Sequence, residues 1–113
     1  MKVIIAGMRD YENYEVVKKA IDFSEWTITE VVSGKAPGVD SLGERWAKEN
    51  NIPVKHFPAD WNKHGASAGP IRNREMAVYA DGLIAVWNGI SKGTHNMIHN
   101  ANREKLSLFI HRV

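Results

Sequence analysis

Gly82-Leu83-Ile84-Ala85-Val86-Trp87 is a six-residue run opened by glycine and followed by Asn88-Gly89. Its apolar residues do not alternate with polar ones, so it reads as a strand buried on both faces. Lys2 to Gly7 repeats the pattern at the other end of the chain, with Val3, Ile4, Ile5 and Ala6 in sequence before Gly7. Two such strands imply a parallel sheet covered by helices on both sides, because only crossover helices bury both faces.

The residues between them supply those helices. Tyr14, Val17, Ala20 and Ile21 form one helical stripe, and Leu42, Trp46 and Ala47 form another within Val39 to Asn50. Met76, Tyr79 and Ala80 restore helical spacing over Arg72 to Ala80, and Thr94, Met97, Ile98 and Ala101 stand at i, i+3, i+4 and i+7. Glu30 to Ser33, Ile52 to Phe57 and Leu106 to His111 are the remaining strand candidates. Ala59 to Pro70, with two glycines, Pro70 and little periodicity, reads as a long loop. Trp46, Trp26, Phe23 and Phe109 are expected in the core. Five strands alternating with four helices predict a single-domain, Rossmann-like, doubly wound α/β fold over residues 1–113, its five-stranded sheet mainly parallel.

Composition limits what such a domain can do. The chain has 113 residues, 43% hydrophobic and 25% charged, the profile of a globular protein and not of a disordered or fibrous one. It has no cysteine, which excludes disulfides, thiol catalysis and cysteine-based zinc sites. It has no apolar run of membrane-spanning length and no signal-peptide pattern, so a cytoplasmic location is expected. The formal net charge of +2 is too small to establish nucleic-acid binding. His95 and His99 are spaced i, i+4, but Asn96 stands where H-E-x-x-H requires glutamate and no third ligand is evident. No metal and no cofactor are assigned.

In a doubly wound fold, ligands bind outside the carboxyl ends of the strands. The first strand ends in Gly7-Met8-Arg9-Asp10-Tyr11, the second in Ser33-Gly34-Lys35-Ala36-Pro37-Gly38-Val39-Asp40, and the fourth in Trp87-Asn88-Gly89-Ile90-Ser91-Lys92-Gly93-Thr94. Each is a glycine-containing turn opening onto a helix. Glycine lets backbone approach an anion, while the free N–H groups of a first helical turn and its dipole favour phosphate. Arg9, Arg72 and Arg74 are candidate counter-charges. Neither G-x-x-x-x-G-K-[ST] nor G-x-G-x-x-G is present, so a Walker-type site and an ordinary dinucleotide fingerprint are both unsupported.

These turns, together with Trp46-Ala47, Pro58-Ala59-Asp60-Trp61, Ala68-Gly69-Pro70, Arg72-Asn73, Ala80-Asp81 and Gly93-Thr94, resemble the YspA-type branch of the SLOG superfamily. That superfamily takes its name from the DNA-processing Smf/DprA proteins and the cytokinin-activating LOG enzymes. The resemblance runs along nearly the whole chain. It implies a Rossmann-like domain of bacteria or their phages that binds a nucleotide-derived ligand near the Ser33-Gly34 to Asp40 turn and the Gly93-Thr94 turn.

Three functions follow as expectations. The first is a sensor or sequestering protein for an ADP-ribose-like or nucleoside phosphate ligand, held by Gly7, Arg9, Tyr11, Ser33, Gly34, Ala36, Gly38, Val39, Asp40, Asp60, Trp61, Gly69, Arg72, Asn73, Trp87, Gly93 and Thr94. Arg9 and Arg72 would pair with phosphate, and Trp61 or Trp87 would stack on the base. The second is a nucleotide N-glycosidic hydrolase like the LOG phosphoribohydrolases, with Arg72, Asp40 and Asp60 as catalytic candidates. Arg72 matches the arginine of the LOG pattern, but no carboxylate follows Gly93-Thr94, and such a reaction needs an acid or base. The third is a DprA-like single-strand DNA binder. It would use Arg72-Asn73-Arg74, which matches the Arg-Asn-Arg of those proteins, with Tyr11, Trp61, Trp87, Lys35, Lys63 and Lys92 along a basic, aromatic rim. A homodimer or higher homo-oligomer is also expected, and a membrane partner is not.

Overall fold

A computed structural model describes residues 1–113. The order of elements is β1 (Lys2–Gly7), α1 (Tyr14–Ser24), β2 (Glu30–Ser33), α2 (Val39–Glu49), β3 (Val54–His56), α3 (Trp61–His64), a 3-10 turn (Gly65–Ser67), α4 (Ala68–Tyr79), β4 (Gly82–Trp87), α5 (Lys92–Arg103) and β5 (Ser107–Arg112). The strands form one sheet in the order β3-β2-β1-β4-β5, and every pairing is parallel. The chain therefore winds outward from β1 in one direction to β3, then crosses back to β4 and winds the other way. Between the neighbours β1 and β4 lies the switch point, where a crevice opens at the carboxyl ends.

Alternation along β1 divides the core in two. Val3 and Ile5 point to one face, where Val17, Ala20 and Ile21 of α1 and Val39 and Ala47 of α2 cover them together with Val31, Ile84 and Val86. Ile4 and Ala6 point to the other, where Met76 and Ala77 of α4 and Met97 and Ala101 of α5 close over Val32, Leu83 and Ala85. Val3, Ile4, Leu83, Ile84 and Val86 are fully buried, which accounts for the uninterrupted apolar runs in the sequence.

Local chemistry sets the ends of the helices. The side chain of Asn13 accepts a hydrogen bond from the Val16 N–H at 3.4 Å to start α1, and Ser91 accepts one from Thr94 at 3.5 Å to start α5. Gly38, before α2, has φ +78°, and a side chain there would run into the backbone of Met8 and Arg9. The close approach joins the β1–α1 and β2–α2 turns through a bond from the Val39 N–H to the Met8 carbonyl at 3.1 Å.

Four expectations require correction. Ala59 to Pro70 is not a loop: it contains α3, the 3-10 turn and the first residues of α4. Asp60 caps α3 by accepting from the Lys63 N–H at 3.1 Å. Pro70 is the third residue of α4, within the first turn, where its missing N–H has no intrahelical duty. There are consequently five α-helices rather than four, and α4 begins at Ala68 rather than Arg72. The third strand is shorter than Ile52 to Phe57, as befits an edge strand. Phe23 is not core: it is 62% exposed at the end of α1, with its ring 6.5 Å from that of His111. Trp26, Trp46 and Phe109 are partly buried against the core, as expected. No helix is long and apolar enough to cross a membrane.

Candidate functional site

A cavity of about 470 Å³ opens at the switch point. Its floor is Ala6 and Gly7 at the end of β1, one wall is α4 and another is the start of α5. A stripe at i, i+3, i+4 and i+7 of α4, formed by Gly69, Arg72, Asn73 and Met76, faces it. Gly93, Asn96 and Met97 of α5 face it with the same spacing. The β2–α2 turn contributes Ala36 and the first turn of α2 contributes Asp40, and Arg9 and Trp61 stand at the rim, the guanidinium 5.5 Å from the indole ring. A second depression of about 270 Å³ adjoins it, lined by Gly34, Lys35, Pro37, Pro58 and Ala59 and sharing Arg9, Ala36, Trp61 and Arg72.

A buried polar network fixes this wall. Arg72, 8% exposed, donates through Nη1 to the carbonyl oxygen of Gly34 and through Nε to Asn73 Oδ1 at 2.9 Å. Asn73 donates in turn to Asn96 Oδ1 at 3.0 Å and to the Gly93 carbonyl at 3.5 Å, and Asn100 donates to Asn96 Oδ1 at 3.1 Å. The chain of bonds ties β2, α4 and α5 together beneath the cavity. A side chain at Gly34 would meet both the Arg72 guanidinium, with Nη1 at 2.6 Å, and Asp40 Oδ2 at 2.9 Å. The glycine therefore leaves room for that pair.

Electrostatically the site is cationic around one buried acid. Arg9, Arg72 and Lys92 surround the opening, while Asp40 is 5% exposed. Burial pushes the Asp40 carboxyl up from its ordinary 3.8 to about 6, although the positive charge of Arg72 and the N–H groups of Ala36 and Gly34 pull it back. Burial also lowers the Arg72 pKa, against the pull of Asp40; a guanidinium remains charged all the same. At the start of α5, Ser91 satisfies the N–H groups of Thr94 and His95, which leaves those of Lys92 and Gly93 without a partner in the helix. Nothing lies within 4 Å of where a Gly93 side chain would begin, so that backbone is open to an incoming group.

Of the residues singled out in the sequence, Gly7, Arg9, Ala36, Asp40, Trp61, Gly69, Arg72, Asn73, Gly93 and Thr94 come together around the main cavity, and Gly34 lines the depression beside it. Six lie elsewhere. Tyr11 packs against the core cluster beneath α1 and α2. Ser33 is fully buried, donating to Glu44 Oε2 at 2.6 Å and accepting from the Lys35 N–H at 3.1 Å, and so shapes the turn from behind. Gly38 and Val39 make the turn-to-turn contact and the core. Asp60 is spent on its helix cap. Trp87 turns its indole N–H to the Ser91 carbonyl at 3.1 Å, supporting the start of α5 from outside the cavity. Ser91, Asn96, Met76, Met97 and Pro70 line the cavity without having been expected there. The readable clue was the matched glycine-polar-methionine stripe on two helices.

Comparison with known proteins identifies the family and the fold. The model of the YspA, cpYpsA-related SLOG family matches residues 1–64, the segment that carries β1, β2, the Gly34 to Asp40 turn and α3. The chain belongs to that family. It is 30% identical over 112 residues to the gene 61 protein of Mycobacterium phage D29, with 90% of this chain and 89% of that protein covered. Among solved structures it is similar to DNA processing protein A (DprA) from Streptococcus pneumoniae, with a TM-score of 0.77, 20% identity and 96% of this chain covered. The chain spans about half of that structure, 49%, so the likeness concerns the fold that the SLOG family shares.

Proposed function

We propose that this SLOG domain binds a nucleotide-derived small molecule, ADP-ribose-like or a nucleoside phosphate, and acts as a sensor or sequestering protein for it. The observation that carries the reading is the meeting of three cations, Arg9, Arg72 and Lys92, with the open first turn of α5 in one cavity of about 470 Å³. Phosphate fits there because its charge is met by guanidinium and ammonium groups and its oxygens by the Lys92 and Gly93 N–H groups. The volume lies in the range of small-molecule sites. Trp61, 49% exposed at the rim, offers a face on which a base can stack.

A second reading, hydrolysis of an N-glycosidic bond, draws its support from Asp40. A buried carboxyl whose pKa stands at about 6 can hold or release a proton near neutral pH, which the reaction needs when water adds to the sugar carbon and the base leaves. Single-strand DNA binding has less support. Arg72 and Asn73 face the cavity while Arg74 is exposed on the opposite side of α4, so the Arg-Asn-Arg triplet does not form one surface.

Calorimetry and thermal shift against adenosine monophosphate, ADP-ribose and a short single-stranded oligonucleotide, with chromatography of each mixture, separate the three. Stabilisation by a nucleotide that is recovered intact supports the sensor reading, and released base supports hydrolysis. Ligand at about 100 times its dissociation constant should add about 2.7 kcal/mol, several degrees for a domain this size. A shift with the oligonucleotide alone would sink both small-molecule readings.

A further inference from the structure

Helix α4 has two working faces. Arg72, Asn73 and Met76 face inward, whereas Ile71, Arg74, Glu75 and Val78 are all exposed on the other side. Their spacing of i, i+3, i+4 and i+7 makes them one stripe. Val78 is 66% exposed and Ile71 36%. A single surface aliphatic residue needs no explanation, but the order apolar, Arg, Glu, apolar has a symmetry property. When α4 lies antiparallel to a copy of itself about a two-fold axis passing between residues 74 and 75, Ile71 meets the partner's Val78 and Arg74 meets the partner's Glu75. The symmetry repeats both contacts, since in a two-fold interface each residue pair occurs twice. No like charges are opposed.

The charges are also uncommitted within the chain. Its ion pairs are Lys18–Glu15, Arg45–Glu49 and His56–Glu44, and neither Arg74 nor Glu75 belongs to one. The other exposed apolar pair, Leu108 and Ile110 on the edge strand β5, has no charge pattern that selects an occupant. We propose that the outer face of α4 is a homodimer interface, in which two Ile71–Val78 contacts flank two Arg74–Glu75 ion pairs. The inference uses the face of α4 turned away from the cavity and stands independently of the ligand.

One helix face is a small contact, so the dimer is a weak one, with a dissociation constant on the order of 1 to 100 µM. Sedimentation equilibrium of the full chain up to about 1 mM measures it. Arg74→Glu sets two carboxylates against two carboxylates and should weaken the dimer on the order of a hundredfold, as should Glu75→Arg with the signs reversed. The double variant Arg74→Glu/Glu75→Arg is self-complementary again and should recover the wild-type constant. Both residues are exposed, so circular dichroism and melting temperature should stay unchanged throughout. A wild-type chain still monomeric at about 1 mM overturns the proposal. So does a dimer indifferent to either single reversal, which would place the contact elsewhere, such as the β5 edge. Failure of the double variant to recover overturns it too.

Discussion

Arg72 carries two duties at once, and their separation is measurable. It holds the Gly34 carbonyl and Asn73 beneath the cavity, and it presents positive charge to whatever enters. Arg72→Ala should weaken binding of adenosine monophosphate by about 1.5 to 3 kcal/mol, tenfold or more, if the guanidinium meets phosphate. Titration calorimetry checks this. An unchanged affinity in a folded variant would remove Arg72 from the site. Arg72→Lys keeps the charge but cannot bridge Gly34 and Asn73 with a fixed fork, so it should recover only part of the affinity. Arg9 and Asp40 were legible in the sequence because they stand in or beside glycine turns at strand ends, and Arg72 because it matches the arginine of the family pattern that the chain resembles. Asn96 stood out less, because its only mark in the sequence is the spacing it shares with Gly93 and Met97, and Ser91 less again, because it caps α5 from within a turn singled out for its glycines. Trp87 misled for a related reason: its position at the end of β4 is right, but its indole N–H is drawn to the Ser91 carbonyl, a bond that sequence spacing does not reveal.

At the scale of elements, the strands and the long amphipathic helices were readable because burial imposes a period on them. Tyr14, Val17, Ala20 and Ile21 of α1 are all buried, and so are Met97 and Ala101 of α5. The segment from Ala59 to Pro70 was misread because Gly65, Gly69 and Pro70 suggest a broken chain. Pro70 instead sits where a helix needs no donor, and Gly69 is buried 3.4 Å from the Trp61 ring, measured from where its side chain would begin. The turns themselves depend on single positions. At Gly38, φ is +78° and the Met8 and Arg9 backbone occupies the space of a side chain. Gly38→Ala should therefore destabilise the fold by roughly 2 kcal/mol or more, combining left-handed strain with a steric clash. Urea unfolding measures the loss. A change below about 0.5 kcal/mol, the range of an ordinary surface substitution, would mean that the two turns move apart freely.

For the molecule as a whole, a parallel sheet in the order β3-β2-β1-β4-β5 concentrates the ends of β1, β2 and β4 in one place, and there the chain buries an acid, Asp40. Asp40 titrates at about 6 in the fold against 3.8 when unperturbed. Below the lower value the carboxyl is protonated in both the folded and the unfolded chain, and it imposes no penalty. Between the two values the unfolded chain releases the proton while the folded chain keeps it, so rising pH favours unfolding. Above about 6 the penalty is complete, roughly 3 kcal/mol from the difference between the two values. Asp40→Asn keeps the shape and removes the titration. The stability of the variant relative to wild type, from chemical denaturation at pH 4, 5, 6 and 7, should therefore rise with pH through this window and level off above it. A difference that stays flat would show that Arg72 and the neighbouring N–H groups already offset the burial of the charge. A rising difference would mean that the fold tolerates a buried ionised carboxyl at neutral pH beside Arg72. Such a cost is expected of a group kept for chemistry or ligand contact and not for packing.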